Sequence, residues 1–369
     1  MLWHLASSLV KEKGYEVVVM SLQKRNIYSE WFENEGIKVI HCDIEIGGNP
    51  LKKITFLKTL ALSGRKMVAA YIRLLRLIYC FKPDIITTFL FGADFFGAVA
   101  GFMTNTKVVC AIRATNIWKK WWHQLASRLT YPMVNCFTVN STPSRSYLHT
   151  VEKVPKSKIH CIFNGVDLAM NEKADSRNHV RSLHGVRNSE FWIVAAGRLD
   201  EQKGFEDLIK AAAMLKQNGV SFILSIFGDG SLRGRLEDLI SALNLETMVR
   251  LEGYVDGLIP VFRSADLFVL SSIYEGMPNV LLEAMATGLP VVATRVDGVC
   301  DIISHDREGL VVPPQRPDYL SSSIYRLYKN DYERKKFSKN GYMRLRDAFS
   351  IDTMCNNYHI LYGSIVNYV

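Results

Sequence analysis

The nine histidines of this chain form neither H-x3-H nor H-E-x-x-H, and its seven cysteines contain no C-x-x-C. The common zinc spacings are therefore excluded, and no protein-held metal is expected. Cys42, Cys80, Cys110, Cys136, Cys161, Cys300 and Cys355 are scattered and odd in number. They read as buried free thiols of a reducing compartment, not as a disulfide framework. A secretory leader is also missing. There is no basic n-region, and Lys11, Glu12 and Lys13 interrupt the first apolar stretch early. Nor is there a clean membrane-spanning run. The best candidate, Ile85 to Met103, carries Asp94, three glycines and two threonines, and reads as a buried strand followed by a helix. Low-complexity tracts and short-period repeats are absent. The expected location is cytoplasmic, with no nucleic-acid partner.

What is present fits two globular domains. A chain of 369 residues with 48% apolar content is long enough for two full cores. Charge is divided unevenly. Residues 1–165 hold 22 Lys and Arg against 10 Asp and Glu, a net of +12, whereas residues 166–369 hold 23 against 26, a net of −3. The basic first half implies an anionic partner for that half. Strand-like apolar runs alternate with helical patterns throughout, which implies parallel sheets covered on both faces, an α/β class.

The most informative segment runs from Ser272 to Thr294, S-I-Y-E-G-M-P-N-V-L-L-E-A-M-A-T-G-L-P-V-V-A-T. It reads as a loop, a helix and a buried strand. Pro278 suits the first turn of the helix, where a missing N–H costs nothing. Leu281, Leu282, Met285 and Ala286 form its inner face, Gly288 ends it, and Leu289 to Thr294 is of strand type. Two acids interrupt this apolar unit, Glu275 in the turn and Glu283 inside the helix, with seven residues between them. Free N–H groups at a helix start attract phosphate, and acids flanking that start can accept hydrogen bonds from sugar hydroxyls. A second motif, Gly197-Arg198-Leu199-Asp200-Glu201-Gln202-Lys203-Gly204, follows the strand-like run Phe191 to Ala196 and precedes a helix near Phe205. A strand, glycine turn and helix in succession present backbone and cations to a ligand above the sheet.

The E-x7-E spacing and the G-R-L-x-x-x-K-G pattern, in this order, resemble the retaining glycosyltransferases of family four. Three weaker marks agree: Ile226-Phe227-Gly228-Asp229-Gly230 near the nucleoside, Gly253-Tyr254-Val255 near the base, and the turn Asn164-Gly165-Val166-Asp167 that opens the second domain. The resemblance covers nearly all of residues 2–369 and is most specific from 191 to 313. It implies a GT-B architecture, two Rossmann-like doubly wound domains with an interdomain cleft. Residues 1–165 are expected to form the acceptor domain, joined by a C-terminal helix within 350–369, and residues 166–349 the nucleotide-sugar domain. The implied reaction moves a hexosyl unit from a nucleotide sugar, UDP-linked by expectation, to a glycan hydroxyl. Arg198 and Lys203 would hold the diphosphate, with Gly197 and Gly228 close by and backbone N–H groups from Gly276, Met277, Pro278, Asn279, Val280 and Leu281 nearby. (Pro278 contributes no N–H of its own.) Tyr254 and Val255 would face the base, Glu283 the ribose, and Glu275 the donor sugar. The family requires no bound metal or other cofactor. Two other readings belong to different classes: a nonhydrolysing sugar-nucleotide epimerase on the same fold, and an inactive partner subunit at a membrane.

The first half departs from the family pattern. Leu2, Leu5, Ala6, Leu9 and Val10 form a helix ended by Gly14, and Glu16 to Ser21 reads as a buried strand. The first strand and glycine-rich loop of the family are not seen before that helix, so a start upstream of Met1, or a truncated variant, is expected. Further strands are expected at Ile37 to Cys42, Asp84 to Phe89 and Val108 to Ala111, with Phe137 to Asn140 closing the first sheet. Asp94 and Arg113 are the polar residues expected on the acceptor side. Leu51 to Phe81 contains no acid and reads as amphipathic basic helices broken near Ser63-Gly64. With Trp118-Lys119-Lys120-Trp121-Trp122, it suggests contact with an anionic membrane and a polyprenyl-diphosphate-linked glycan as acceptor.

Overall fold

The computed structural model describes every residue except 23, 26, 43–52, 114–120, 169–175 and 367–369, with the side chains of 27 and 53–66 also outside the description. The chain forms two compact units. The first comprises Met1–Val139, Ser144–Ile162 and Ile351–Val369, the second Asn140–Pro143 and Phe163–Ser350.

In the first unit the order is α1 (Leu2–Lys11), β1 (Val18–Ser21), α2 (Ile27–Asn34), β2 (Lys38–His41), α3 (Lys53–Phe81), β3 (Ile85–Phe89), α4 (Phe91–Thr104), β4 (Lys107–Ile112), α5 (Trp121–Thr130), β5 (Cys136–Val139), α6 (Thr142–Thr150) and β6 (Ile159–Cys161). All pairings are parallel. Strands β1 and β2 form one small sheet, and β3-β4-β5-β6 a second. Helix α1 packs on both sheets. Its Ala6 joins Val17, Val19 and Val39 over the first, while Leu5 and Leu9 join Val109 and Cys136 on the second. Two expectations are corrected here. Strand β6 pairs with β5, so the run at Phe137 does not close the sheet. Helix α3 runs unbroken through Ser63-Gly64; a single helical glycine costs only about 1 kcal/mol and does not by itself end a helix.

The second unit contains α7 (Arg177–Leu183), β7 (Phe191–Ala196), α8 (Phe205–Gln217), β8 (Phe222–Phe227), α9 (Arg233–Ala242), β9 (Val249–Gly253), α10 (Ile259–Ser264), β10 (Leu267–Leu270), α11 (Asn279–Ala286), β11 (Val291–Thr294), α12 (Val299–Ile302), β12 (Leu310–Val312), α13 (Pro317–Lys329) and α14 (Asp331–Ala348). Its six parallel strands lie in the order β12-β11-β10-β7-β8-β9. Strands β7, β8, β10 and β11 are buried at every position, which is why they read as continuous apolar runs. Two apolar clusters, one on each sheet face, form the core. The chain leaves β7 toward β8 and later returns to the other side of β7 with β10. The sheet therefore changes direction between β7 and β10, and the crevice outside their carboxyl ends is where such sheets bind ligands.

The last helix, α15 (Ile351–Val366), belongs to the first unit. Its Met354, Tyr358 and Leu361 pack with Leu5 and Leu9 of α1. Tyr15 Oη and His359 Nδ1 lie 3.0 Å apart beside it. No helix among the described residues is long and apolar enough to cross a membrane. Ile85 to Met103 is β3 followed by α4. The seven cysteines are free, but Cys80 and Cys300 are exposed, a correction to the reading of all seven as buried.

Candidate active site

The site is built where the second sheet reverses. Gly197 leaves β7, and a short turn over Glu201–Lys203 leads to Gly204, which opens α8 with φ +60°. A Cβ on Gly204 would stand 2.3 Å from the carbonyl oxygen of Ser271, so the loops after β7 and β10 touch backbone to backbone. Two hydrogen bonds latch them: Ser271 Oγ donates to Lys203 O at 2.8 Å, and Ile273 N donates to Gln202 O at 2.8 Å.

That latch sets Lys203 against Glu275. Lys203 Nζ donates to Glu275 Oε1 at 2.6 Å, and Ser272 Oγ donates to the same oxygen at 2.7 Å. Gln202 Nε2 reaches Glu275 Oε2 at 3.3 Å. Thr294 Oγ1, at the end of β11, holds the Ser272 carbonyl at 2.6 Å. Glu275 is only 8% exposed. A carboxylate so far from water needs this set of donors. The direct Lys203–Glu275 pair, and the roles of Gln202, Ser272 and Thr294 in bracing it, were not read from the sequence. All five residues sit in segments singled out above, but a linear string does not reveal that the two loops meet.

Arg198 points outward, with its side chain 71% exposed and Nε donating to Asp200 Oδ2 at 2.6 Å. Beyond it, Gly228 has φ +132°, and a Cβ there would stand 1.9 Å from Gly197 O. Gly228 N donates to Gly253 O at 2.7 Å, which draws the β8 and β9 ends together. Tyr254 follows, 76% exposed, and Val255 packs partly against the core.

Helix α11 starts just after Glu275. Gly276 and Met277 are buried, Pro278 is its N-cap, and Leu281, Leu282 and Met285 hold it to the core. Asn164 braces its mouth: Nδ2 donates to Asn279 Oδ1 at 2.8 Å, and the Asn164 backbone N lies 3.2 Å from Met277 Sδ. The N-G-V-D turn thus supports this helix, a role that its sequence did not announce. Val280 is half-buried, and Glu283 lies one turn further along, where burial pushes its carboxyl pKa up.

The two polar residues expected on the acceptor side lie in the first unit. Asp94 is 6% exposed and accepts from Thr88 Oγ1 at 2.6 Å. Arg113, at the end of β4, donates from Nη2 to Tyr358 Oη at 2.5 Å, and its guanidinium stands 5.1 Å from the Phe89 ring centroid. Trp118, Lys119 and Lys120 lie outside the described residues.

Comparison with known proteins agrees with this geometry. Residues 176–344 match the model for glycosyl transferases group 1, and residues 1–170 the model for glycosyltransferase family 4. The chain belongs to the glycosyltransferases of family four and has the GT-B fold. It is 29% identical to an uncharacterized glycosyltransferase of Methanocaldococcus jannaschii, over 74% of this chain and 73% of the relative. It is 25% identical to the UDP-Gal:alpha-D-GlcNAc-diphosphoundecaprenol alpha-1,3-galactosyltransferase of Escherichia coli, over 82% and 80% respectively. Among solved structures, Anabaena HepE in complex with UDP-glucose superposes with a TM-score of 0.82 at 20% identity, covering 98% of this chain and 94% of that one.

Proposed function

We propose that this glycosyltransferase moves a hexosyl unit from a UDP-sugar to a hydroxyl of a lipid-linked glycan, with the anomeric configuration retained, in the assembly of a surface polysaccharide or related glycoconjugate. The observation that carries this reading is the pair of half-buried Lys203 and buried Glu275, 2.6 Å long, at the point where the second sheet reverses. A cation and a carboxylate held together there suit a ligand with a diphosphate at one end and sugar hydroxyls at the other. In this reading Lys203 and Arg198 meet the charge that grows on the diphosphate as the glycosidic bond breaks. Such preorganised electrostatics is often the largest catalytic term. Arg198 would leave Asp200 to do so. Amides at the start of α11 would add to the phosphate site. Glu275 would accept from hydroxyls of the transferred sugar, and Glu283 from the ribose. Two side-chain cations supply the charge that a metal would otherwise supply, and no cofactor is required.

The Escherichia coli relative, whose name specifies UDP-Gal and a diphosphoundecaprenol-linked acceptor, supports the choice of both substrates. An acceptor of that kind is anchored in a bilayer, so the enzyme would work peripherally on the inner face of the membrane. The test is a panel of nucleotide sugars scored by thermal stabilisation, followed by transfer of label from the best donor. A ligand at 100 times its dissociation constant adds about 2.7 kcal/mol. A UDP-hexose should stand out, and NMR of the product should show the donor's anomeric configuration. Stabilisation by no nucleotide sugar, or an inverted product, would refute the reading.

A further inference from the structure

The outer faces of three neighbouring helices in the first unit expose large apolar side chains in stripes. On α3 these are Val68 at 60%, Ile72 at 45% and Tyr79 at 80% exposure. On α4 they are Phe95, Phe102 and Met103, spaced by seven and eight residues. On α5 they are Trp121, Leu125 and Leu129, spaced by four, with Trp121 76% exposed. Each spacing puts its residues on one side of a helix. The helices also touch: Tyr71 Oη of α3 lies 3.2 Å from Met103 Sδ of α4, and the Phe91 ring of α4 stands 6.2 Å from the Trp122 ring of α5. The three helices therefore form one contiguous layer, and each carries one of the stripes. Scattered exposed apolar residues need no explanation, but a joined set of this kind marks an interaction surface.

Charge identifies the partner. From Met67 onward α3 carries no acid, α5 carries none, and the single acid of α4, Asp94, is buried. Exposed Arg73, Arg76 and Arg128 lie among the apolar residues. One carboxylate, the exposed Asp84, lines a cavity with Tyr79 and Met103, but Lys82 and Lys107 line it too, so two copies of such a face would oppose mostly like charges. A bilayer containing anionic lipid instead offers phosphates to the arginines and acyl chains to the apolar residues, and tryptophan favours the boundary between the two.

We propose that the α3–α4–α5 face is a membrane-docking surface that inserts its apolar side chains, led by Trp121, Leu125 and Leu129, into the acyl boundary of an anionic bilayer. Arg76 and Arg128 select the anionic headgroups. The inference rests on the reading that transfer takes place at a membrane, and it identifies the surface that makes the contact. It also separates this surface from mere electrostatic adhesion, since inserted apolar groups hold at high salt whereas arginines alone do not.

The test uses the full chain with neither donor nor acceptor, so its failure is distinct from failure of the catalytic reading. Co-sedimentation is measured with vesicles of phosphatidylethanolamine and phosphatidylglycerol, and with vesicles of phosphatidylcholine. The wild type should bind the anionic vesicles, and raised salt should weaken this binding without abolishing it. The variant Trp121→Gln/Leu125→Gln/Leu129→Gln should lose at least about tenfold in partitioning, in line with the apolar area withdrawn. It should keep a cooperative thermal transition, because the three residues are exposed. Arg76→Gln/Arg128→Gln should lose the preference for anionic over neutral vesicles and serves as the independent variant if the first does not fold. Unchanged binding in both variants, or no binding by the wild type, would overturn the proposal. So would a stable dimer in solution dissociated by the glutamine substitutions, which would assign the face to a second copy of the chain.

Discussion

Lys203 and Glu275 hold two loops together, and substitution separates this structural role from the catalytic one proposed above. Lys203→Met leaves a carboxylate buried without its cation, which should cost about 3–5 kcal/mol of stability. Lys203→Met/Glu275→Gln removes both charges and should recover most of that loss, measured by denaturant unfolding, while transfer stays suppressed. Full recovery of transfer in the double variant would mean that the pair is only structural. Arg198 is exposed, so Arg198→Ala should leave stability almost unchanged yet cut turnover by roughly 10²–10³, as for loss of a transition-state donor. For Glu283 the direction of the pKa shift fixes a pH dependence. Burial raises the folded carboxyl pKa above its ordinary value. The folded state thus holds a proton that the unfolded state has released, and ionisation at higher pH costs stability. Glu283→Gln should therefore raise the melting temperature near neutral pH. If the carboxylate accepts from ribose, nucleotide affinity should fall as pH drops through the raised pKa, and the glutamine variant should lack that limb. Titration calorimetry across pH reads both; a pH-independent wild type would remove Glu283 from the site.

Among the secondary elements, α11 and the strand after it, β11, were legible because their pattern is local: apolar spacing, Pro278 at the start and Gly288 after the end. The E-x7-E spacing and the G-R-L-x-x-x-K-G turn likewise lie within short stretches. The contact between their two loops is set by strand order, which no local pattern encodes, so the Lys203–Glu275 bond and its braces emerge only when β10 lies beside β7. The same cause hid β6, three residues long, whose strand character depends on pairing with β5. A different cause hid the uninterrupted course of α3: Gly64 reads as a break when weighed alone, yet a single helical glycine costs only about 1 kcal/mol. Gly204 offers a test at this scale. Alanine there would bring a Cβ within 2.3 Å of Ser271 O at φ +60°, and it should separate the two loops. Gly204→Ala is expected to lower both stability and donor affinity, whereas alanine at Gly234, which has open space around its Cβ position, should alter neither beyond a helix-propensity gain.

In the whole molecule, charge and exposed apolar surface are divided between the halves in the way the proposed division of tasks requires. The half with a net charge of +12 carries the apolar and arginine-bearing helix layer, and the half at −3 carries the Lys203–Glu275 pair and the site proposed for the donor. Composition alone indicated the first of these, because an acid-free stretch is visible in any string. It did not show which face of the helices is turned outward. The most direct measurement is transfer of labelled hexose from a UDP-sugar to an undecaprenyl-diphosphate-linked acceptor, run with the wild type and with Lys203→Met/Glu275→Gln side by side. The expected result is a labelled lipid product with the donor's anomeric configuration from the wild type and a rate at least about 10²-fold lower from the folded double variant. A folded double variant that transfers at the wild-type rate, or a wild-type product of inverted configuration, would contradict it.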